Sequence, residues 1–472
     1  MLAPHTVLIP LKTFVLTLSY LQDRSPLPLP SDSDRDPVPP SHDADSDRPA
    51  RQPAVGSAAW MVAQTETIRR IAAGPIIPSV ATSLRRMHGA EAAALILTIA
   101  GVQSRSVEKF GPGVWMATEK SIAQATDRVV ASYKASLFEN ESVFDLCSGI
   151  GGDAMELAKR GPVVAIDVDR QIAEMAAANL TLDAANRSGS SPTPVAVCDD
   201  VMRFKIPADA AIHIDPDRRP SGKSRVVRPS SYLPSIDEVA RLISGGRPAI
   251  VKLAPAAELD EDTQCGPTSL IVAENHRQWI SFDGSVREQA LLSGSCISAA
   301  GVNPGGRSAV RVWAGGRREC FAVDEADASH LADLDRAIES VWEVPPYLID
   351  VDPAVRAAGL SSSIATARGC SSLGGPAGFF GCEKIPTDRS LMHFFETIWS
   401  GPADLKRIKS WVRQQGLWVE SVKVRSTGQD PAEWTKSLRG NVERTDANVV
   451  VCFISRWSNG TNYAAITQRI RL

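Results

Sequence analysis

The spacing of apolar residues divides the chain into three parts. From 61 to 138, apolar positions recur every three or four residues, notably in Ala90–Ile99 and Ser121–Leu137, which predicts a helical N-terminal domain. From 139 to 325, short apolar runs alternate with helical stretches, a pattern typical of βαβ units around a parallel sheet. The part from 345 to 472 mixes both patterns and is predicted to be an α+β domain.

The predicted elements of the middle part alternate regularly. Its strands are expected at Val143–Leu146, Val163–Ile166, Pro194–Val197, Ala211–Ile214 and Ala249–Leu253, and its helices at Ala154–Arg160, Gln171–Ala185 and Ser235–Leu242. Antiparallel strands that complete the sheet are expected at Trp279–Phe282, Arg287–Leu292 and Ala309–Trp313. A linker or long helix is expected at 326–344, followed by strands at His393–Trp399, Val419–Arg425 and Val449–Trp457 and helices at Asp404–Gln415 and Pro431–Leu438.

The first 60 residues differ in composition from the rest. Ser25–Pro53 is dense in Pro, Asp and Ser and cannot bury enough apolar surface to fold, so a disordered tail is expected over 1–60. The apolar stretch Leu2–Leu21 lacks a basic n-region and a cleavage site, so neither a secretion signal nor a membrane anchor is expected. Translation that begins at Met61 is an alternative, because the helical periodicity starts only after it.

Charge and cysteine usage exclude some classes of function. The net charge of −3 gives no global bias toward nucleic acid. The 8 Cys include no Cys-x-x-Cys pair and the 7 His no His-Glu-x-x-His motif, so neither a metal site nor a disulfide framework is expected and a cytoplasmic location fits best. From Lys384 onward, 14 Lys and Arg accompany 8 Asp and Glu, which suits either a phosphate-facing surface or a solvated basic face.

The stretch Val143–Asp153, Val-Phe-Asp-Leu-Cys-Ser-Gly-Ile-Gly-Gly-Asp, is typical of a nucleotide site. A buried strand runs into a turn where Gly149 and Gly151 let the backbone approach a ligand. With Ala154 these glycines also satisfy the G-x-G-x-x-G/A dinucleotide motif, which makes NAD a competitor. Asp145 favours a different cofactor, because a carboxylate at the strand end repels a diphosphate but suits the amino-acid portion of a sulfonium cofactor such as S-adenosylmethionine.

Three more positions extend the predicted cofactor site. Asp167 ends the next strand, where its carboxylate can accept hydrogen bonds from both ribose hydroxyls. The alternative role for Asp167 is to cap the following helix, but Asp169 suits that role better. Asp200 is expected to accept from the adenine amino group or, alternatively, to be an ordinary acidic turn residue. Cys147 is grouped with these residues as a small packing side chain, since no His stands where it would activate a thiol nucleophile.

The fourth strand ends in Asp215-Pro-Asp-Arg-Arg219, at the edge where open α/β sheets bind ligands. In methyl transfer to nitrogen, Asp215 and the carbonyl of Pro216 can accept the N–H bonds of the acceptor and hold its lone pair in line. Arg218 and Arg219 either grip a phosphate or pair with nearby carboxylates. Lys252 is either a further pocket cation or a strand-end surface residue.

Several of these motifs, together, are shared with a known family. They are Val107–Phe110, Glu119–Ala125, Asp145–Asp153, Asp215–Arg219, Lys252–Pro255 and Tyr347–Pro353. In them the chain, from about Met87 to its C-terminus, resembles bacterial class I S-adenosylmethionine-dependent methyltransferases with a C-terminal THUMP-like domain, a family distantly similar to the RNA cap trimethylguanosine synthases.

The resemblance implies an α/β fold with a Rossmann-like seven-stranded methyltransferase core, an N-terminal helical region and a THUMP-like α+β domain. It also implies S-adenosylmethionine as cofactor and a C-terminal module similar to RNA-binding domains, but it implies no known substrate. We predict methyl transfer to a nitrogen of an RNA base, with RNA as the partner. The chain has Asp217 and Arg218 where amine methyltransferases usually carry a proline and an aromatic residue. A catalytically silent RNA-binding protein therefore remains an alternative, as does an NAD-dependent oxidoreductase.

Overall fold

The computed structural model describes most of the chain beyond the N-terminal tail. The described residues are 53–187, 193–217, 229–259, 273–324, 326, 327, 331, 335, 338, 340–374, 378–439 and 442–470. Most of the predicted tail lies outside them, as do about half of the predicted linker or helix at 326–344 and both Arg218 and Arg219. Residues 52–472 cluster into one compact unit.

The N-terminal part is helical, as its periodicity predicts. Its described helices are α1 (Ala58–Ala63), α2 (Thr65–Ala72), α3 (Pro78–His88), α4 (Ala90–Gly101), α5 (Gln103–Phe110), α6 (Glu119–Gln124) and α7 (Arg128–Ala135). The single helical run expected at Ser121–Leu137 is wrong in one respect, because it is broken between α6 and α7. Ala125 and Asp127 have extended backbones there, and the Thr126 side chain between them bonds to a buried carboxylate.

The middle part forms a sheet of nine strands within the described residues, two more than the seven expected. The strands are β1 (Val143–Leu146), β2 (Val163–Asp167), β3 (Val195–Cys198), β4 (Ala211–Ile214), β5 (Ala249–Leu253), β6 (His276–Phe282), β7 (Ser285–Ser293), β8 (Arg307–Val312) and β9 (Arg318–Val323). Their order is β3-β2-β1-β4-β5-β7-β6-β8-β9. The apolar pattern itself predicts eight of these strands, β8 among them at Ala309–Trp313, and only β9 was not expected.

The direction of the strands fixes where ligands can bind. Strands β1 to β5 are mutually parallel where they pair, so their carboxyl ends meet at one edge. Strand β7 is antiparallel to β5 and β6, as expected, whereas β8 is parallel to β6, which corrects the expectation of an antiparallel strand. The described helices of this part are α8 (Gly152–Leu157), α9 (Arg170–Ala185), α10 (Ile236–Ile243) and α11 (Ser295–Ala300).

One buried side chain fastens the N-terminal helices to the sheet edge. Asn179 of α9 is fully buried; its Nδ2 donates to the carbonyls of Met116 and Ile150, and its Oδ1 accepts from the Met116 amide. A buried amide whose bonding capacity is used in this way sets a definite spacing between the segments it joins. The loop after β1 is therefore held against the segment that precedes α6.

The C-terminal part contains a second sheet of seven described strands in the order β11-β12-β10-β13-β16-β15-β14. They are β10 (Tyr347–Val351), β11 (Ser371–Ser372), β12 (Phe380–Cys382), β13 (Met392–Pro402), β14 (Trp418–Val424), β15 (Val449–Arg456) and β16 (Asn462–Arg469). Its described helices are α12 (Pro353–Ala357), α13 (Ser361–Ala367), α14 (Leu405–Gln414) and α15 (Pro431–Arg439). The predicted strands and helices of this part are confirmed, whereas β10, β11, β12 and β16 were not expected. In the described residues no helix is long and apolar enough to cross a membrane.

Candidate functional site

The loop after β1 takes backbone conformations that few residues other than glycine adopt easily. Gly149 and Gly151 have φ of 56° and 86°, and Gly151 caps the N-terminus of α8. A Cβ on Gly149 would meet only open space, so the backbone lies bare at the cavity. The Gly149 amide donates to Asp167 Oδ2 at 3.0 Å, which ties the loop to the end of β2.

A cavity of about 880 Å³ lies at the carboxyl ends of β1, β2 and β4. Its described wall is strongly acidic, with Lys120 as its cationic residue and eight carboxylates: Asp145, Asp153, Asp167, Asp169, Asp200, Asp215, Asp217 and Glu238. A wall of this charge attracts cations and repels phosphates.

Asp145 lies at the bottom of this cavity and is 1% exposed. Its Oδ1 lies 2.7 Å from His213 Nδ1, whereas its Oδ2 has no hydrogen-bond partner among the described residues. Burial raises the pKa of Asp145, and the attraction of His213 opposes that rise. An unpartnered carboxylate oxygen in a buried position is costly, so this atom is suited to receive a donor from a ligand.

A buried ion network continues behind Asp145. Lys134 Nζ lies 3.1 Å from His213 Nε2 and forms ion pairs with Asp153 at 2.9 Å and Glu288 at 2.8 Å. Burial alone would lower the pKa of Lys134, but the attraction of the two carboxylates raises it overall, so this lysine stays protonated. Burial would likewise raise the pKa of Asp153, but Lys134 and His213 hold it well below the usual range.

The network reaches the end of β4 through one hydroxyl. Thr126 Oγ1 donates to Asp153 Oδ2 at 2.6 Å and accepts from Lys252 Nζ at 3.0 Å. Lys252, which is 5% exposed, also donates to Asp215 Oδ2 at 2.5 Å. The side chain of Asp215 is 26% exposed and lines the cavity, so one of its oxygens is fixed while the residue stays open to a ligand.

The structure brings together most of the residues singled out in the sequence. Asp145, Cys147, Gly149, Asp167, Asp200, Asp215 and Pro216 all line the cavity. Gly151 and Lys252 do not line it: the first shapes the loop, and the second supports Asp215 from behind, so Lys252 is neither the pocket cation nor the surface residue considered above. Arg218 and Arg219 lie outside the described residues.

The surroundings of Asp169, Asp200 and Cys147 show what these side chains do locally. Asp169 is the N-cap of α9, accepting from the amides of Gln171 and Ile172, so this role does not fall to Asp167. Asp200 Oδ1 accepts from the Met202 amide in the turn that follows β3. Burial raises the pKa of the Cys147 thiol, and the surrounding carboxylates raise it further, so the residue is unsuited to be a nucleophile.

Sequence reasoning missed two groups of functional residues. Thr118, Lys120, Ser121, Gln124 and Thr126, in and around α6, form one wall of the cavity. The sequence did mark this region, because Glu119–Ala125 is one of the motifs shared with the family, but no site residue was predicted in it. Lys134 and His213 have no local motif, because they meet the site only through tertiary packing.

Comparison with known proteins finds relatives that are named as methyltransferases. No protein-family model matches the chain. Two Mycobacterium tuberculosis strains, CDC 1551 and H37Rv, carry proteins named as uncharacterized S-adenosylmethionine-dependent methyltransferases. Each is 24% identical to this chain over 343 residues, which cover 72% of this chain and 85% of the relative.

A solved structure shares the fold over nearly its whole length. It is a protein of Porphyromonas gingivalis W83 that is assigned as a methyltransferase. The superposition covers 88% of this chain and 96% of that one, with a TM-score of 0.62 and 16% identity. At this identity the likeness shows the fold alone, and the chemistry has to be argued from the site.

Proposed function

We propose that this chain, a class I S-adenosylmethionine-dependent methyltransferase by its relatives and its fold, methylates a nitrogen of an RNA base. The observation that carries the proposal is the acidic cavity at the ends of β1, β2 and β4, with the unpartnered Asp145 Oδ2 at its base. The alternatives of a silent binder and of an oxidoreductase are separated from it by the experiments below.

S-adenosylmethionine is the cofactor, and the residues of the cavity fit it. Asp145 Oδ2 and Ser148 Oγ are buried polar atoms without partners, as expected where a ligand completes the hydrogen bonding. Asp145 would receive the cofactor's ammonium group, and Asp167 would accept from its ribose hydroxyls. The bare backbone at Gly149 gives it room. When bound, the cofactor supplies an electrophilic methyl group on a cationic sulfur.

The charge of the cavity disfavours NAD. Eight carboxylates line the described wall against one lysine. Two unit charges about 4 Å apart interact by roughly 4 kcal/mol near a protein surface, so a diphosphate placed among these carboxylates would be strongly repelled. A cofactor with a positive sulfur gains from the same field.

Asp215 and Pro216 are suited to hold the acceptor. Lys252 fixes one carboxylate oxygen of Asp215, which keeps the other free to accept an N–H from the acceptor nitrogen. Next to it, Asp217 and Leu233 exchange two backbone hydrogen bonds at 2.8 and 3.0 Å, and Leu233 lines the cavity while 56% exposed. This rigid apolar surface takes the place of the missing aromatic residue as a support for a flat base.

The RNA partner is supported by a cationic helix in the C-terminal part. Four of the residues of α14 are basic and none is acidic: Lys406, Arg407, Lys409 and Arg413. Its apolar side is anchored by the buried Ile408 and Val412, and its four cations form no ion pair with a described carboxylate. Unpaired cations on a rigid helix are what phosphate contacts require.

Methyl transfer is tested with the full chain, isotopically labelled S-adenosylmethionine and total cellular RNA as acceptor. We expect label in a base, identified by nucleoside mass spectrometry, and a loss of at least about a hundredfold in rate for Asp215→Ala with RNA binding unchanged. If neither the wild type nor the Asp215→Ala variant transfers label to RNA, and both still bind RNA, the result would favour the silent RNA-binding protein. Binding of NAD without binding of S-adenosylhomocysteine would favour the oxidoreductase.

RNA binding is tested separately on α14. The double variant Arg407→Glu/Arg413→Glu should weaken RNA binding and reduce its dependence on salt. Each lost phosphate contact lowers the slope of the logarithm of the binding constant against the logarithm of the salt concentration by about one unit. The matched control is Arg85→Glu/Arg86→Glu, which makes the same charge change at exposed positions of α3. Equal losses in both variants would show that only total charge matters.

A further inference from the structure

His213 connects the cavity to a buried charge cluster that the methyl-transfer chemistry does not itself use. It lies on β4 beside Asp145 of β1, with which it is in register, and its side chain is 1% exposed. Lys134 approaches its other ring nitrogen from α7 and is equally buried. Both ring nitrogens of the histidine are therefore engaged.

The contacts of Lys134 fix which nitrogen of the histidine carries the proton. A protonated lysine can only donate, so His213 Nε2, at 3.1 Å, has to accept. The ring then carries its proton on Nδ1, which donates to Asp145 Oδ1 at 2.7 Å. The opposite tautomer would place the Nε2 hydrogen of His213 against the ammonium group of Lys134, and it would leave Asp145 Oδ1 without a donor.

We propose that His213 is a positioning residue: held by Lys134 as the neutral Nδ1–H tautomer, it fixes Asp145 so that its Oδ2 is presented to a cationic group in the cavity. This inference rests on the proposed function, because the ammonium group of the cofactor is the intended cation. Burial of the whole assembly prevents water from taking the place of either partner.

The charges around His213 agree with this role. The charged groups of its surroundings are Asp145, Lys134, Asp153, Glu288, Lys252 and Asp215. These are four carboxylates and two ammonium groups, so with a neutral histidine the cluster keeps two negative charges in excess. A cation bound at Asp145 reduces this excess of negative charge, whereas an anion such as a diphosphate would increase it.

The tautomer is tested directly by nitrogen-detected NMR of the full chain labelled with ¹⁵N-histidine. At about pH 7 we expect a signal with a protonated Nδ1 and an unprotonated Nε2 that is absent from the His213→Asn variant, whereas a second signal of this kind, from His276 beside the Asn303 carbonyl, should remain. If the signal that the His213→Asn variant loses instead carries its proton on Nε2, or comes from a doubly protonated ring, the proposal is overturned. This measurement needs no cofactor and no variant other than the one used for assignment.

The consequence is tested by calorimetric titration with S-adenosylhomocysteine. His213→Leu removes the donor and should weaken binding about tenfold or more, the usual effect of losing a hydrogen bond to a charged group. His213→Asn retains an N–H for Asp145 and should stay within about threefold of the wild type. Equal affinities in all three proteins, or equal losses in both variants, would refute the positioning role. Failure of the wild type to bind would instead count against the proposed function, and the NMR result would still decide the tautomer.

Discussion

The hydroxyl of Thr126 offers the sharpest test of the buried network. Thr126→Val keeps the shape of the side chain and removes one oxygen, which donates to Asp153 and accepts from Lys252. Hydrogen bonds to charged groups contribute about 1.5–3 kcal/mol each. In the variant, Asp153 retains its ion pair with Lys134, and Lys252 retains its ion pair with Asp215. The free energies lost with the two hydrogen bonds are therefore only partly additive. We expect the free energy of unfolding to fall by about 2–3 kcal/mol.

The measurement is urea denaturation at neutral pH, followed by tryptophan fluorescence. The matched control is Thr98→Val, because Thr98 is exposed on α4 and its hydroxyl donates only to the Ala94 carbonyl one turn earlier. That change should alter stability by less than about 0.5 kcal/mol. A Thr126→Val variant that differs from the wild type no more than the control does would show that the hydroxyl carries no free energy and that the network is not coupled through it.

Three further predictions concern the cofactor site and the pH dependence of stability. Asp167→Asn should weaken S-adenosylhomocysteine binding about tenfold in calorimetry, since the carboxylate accepts from the Gly149 amide and is proposed to accept from the ribose hydroxyls; an unchanged affinity would remove Asp167 from the proposed site. Asp169→Asn retains a capping side chain and should leave helix α9 and the melting temperature nearly unchanged, whereas Asp169→Ala should cost about 1 kcal/mol; equal effects of the two would argue against the cap. Burial lowers the pKa of His276 from its ordinary value of 6.5 to about 4. The unfolded chain therefore takes up a proton first as the pH falls, and this histidine's contribution to stability, full above about pH 6.5, should be lost progressively between about pH 6.5 and 4. Urea midpoints of His276→Gln should decline less steeply than those of the wild type over that range, and parallel curves would contradict the assignment.

Local patterns in the sequence were enough for the elements that place the cofactor loop. The apolar run Val143–Leu146 followed by glycines predicts a strand and a bare turn, because a buried parallel strand needs continuous apolar residues and left-handed backbone needs glycine. The structure has this strand and this turn, and Asp167 at the end of β2 follows from the same reasoning. These features depend only on neighbours along the chain.

Pairing between distant segments decided the rest. The hairpin of β8 and β9, which widens the sheet to nine strands, and β16, which pairs with β13 and β15, depend on partners far away in the sequence. The sequence pattern predicted β8 but was too weak to reveal β9 and β16, since the stability of a strand comes from cross-strand contacts.

The sequence by itself determined a Gly-rich, acidic nucleotide loop at a sheet edge, because backbone sterics and the sign of a charge are properties of the residues. Only the tertiary structure decided that Lys134, Thr126 and His213 join Asp145 to Asp215. Residues up to 126 positions apart exchange these hydrogen bonds, as Lys252 and Thr126 do. Burial then gives the contacts their strength, because water that would compete for each donor and acceptor is excluded.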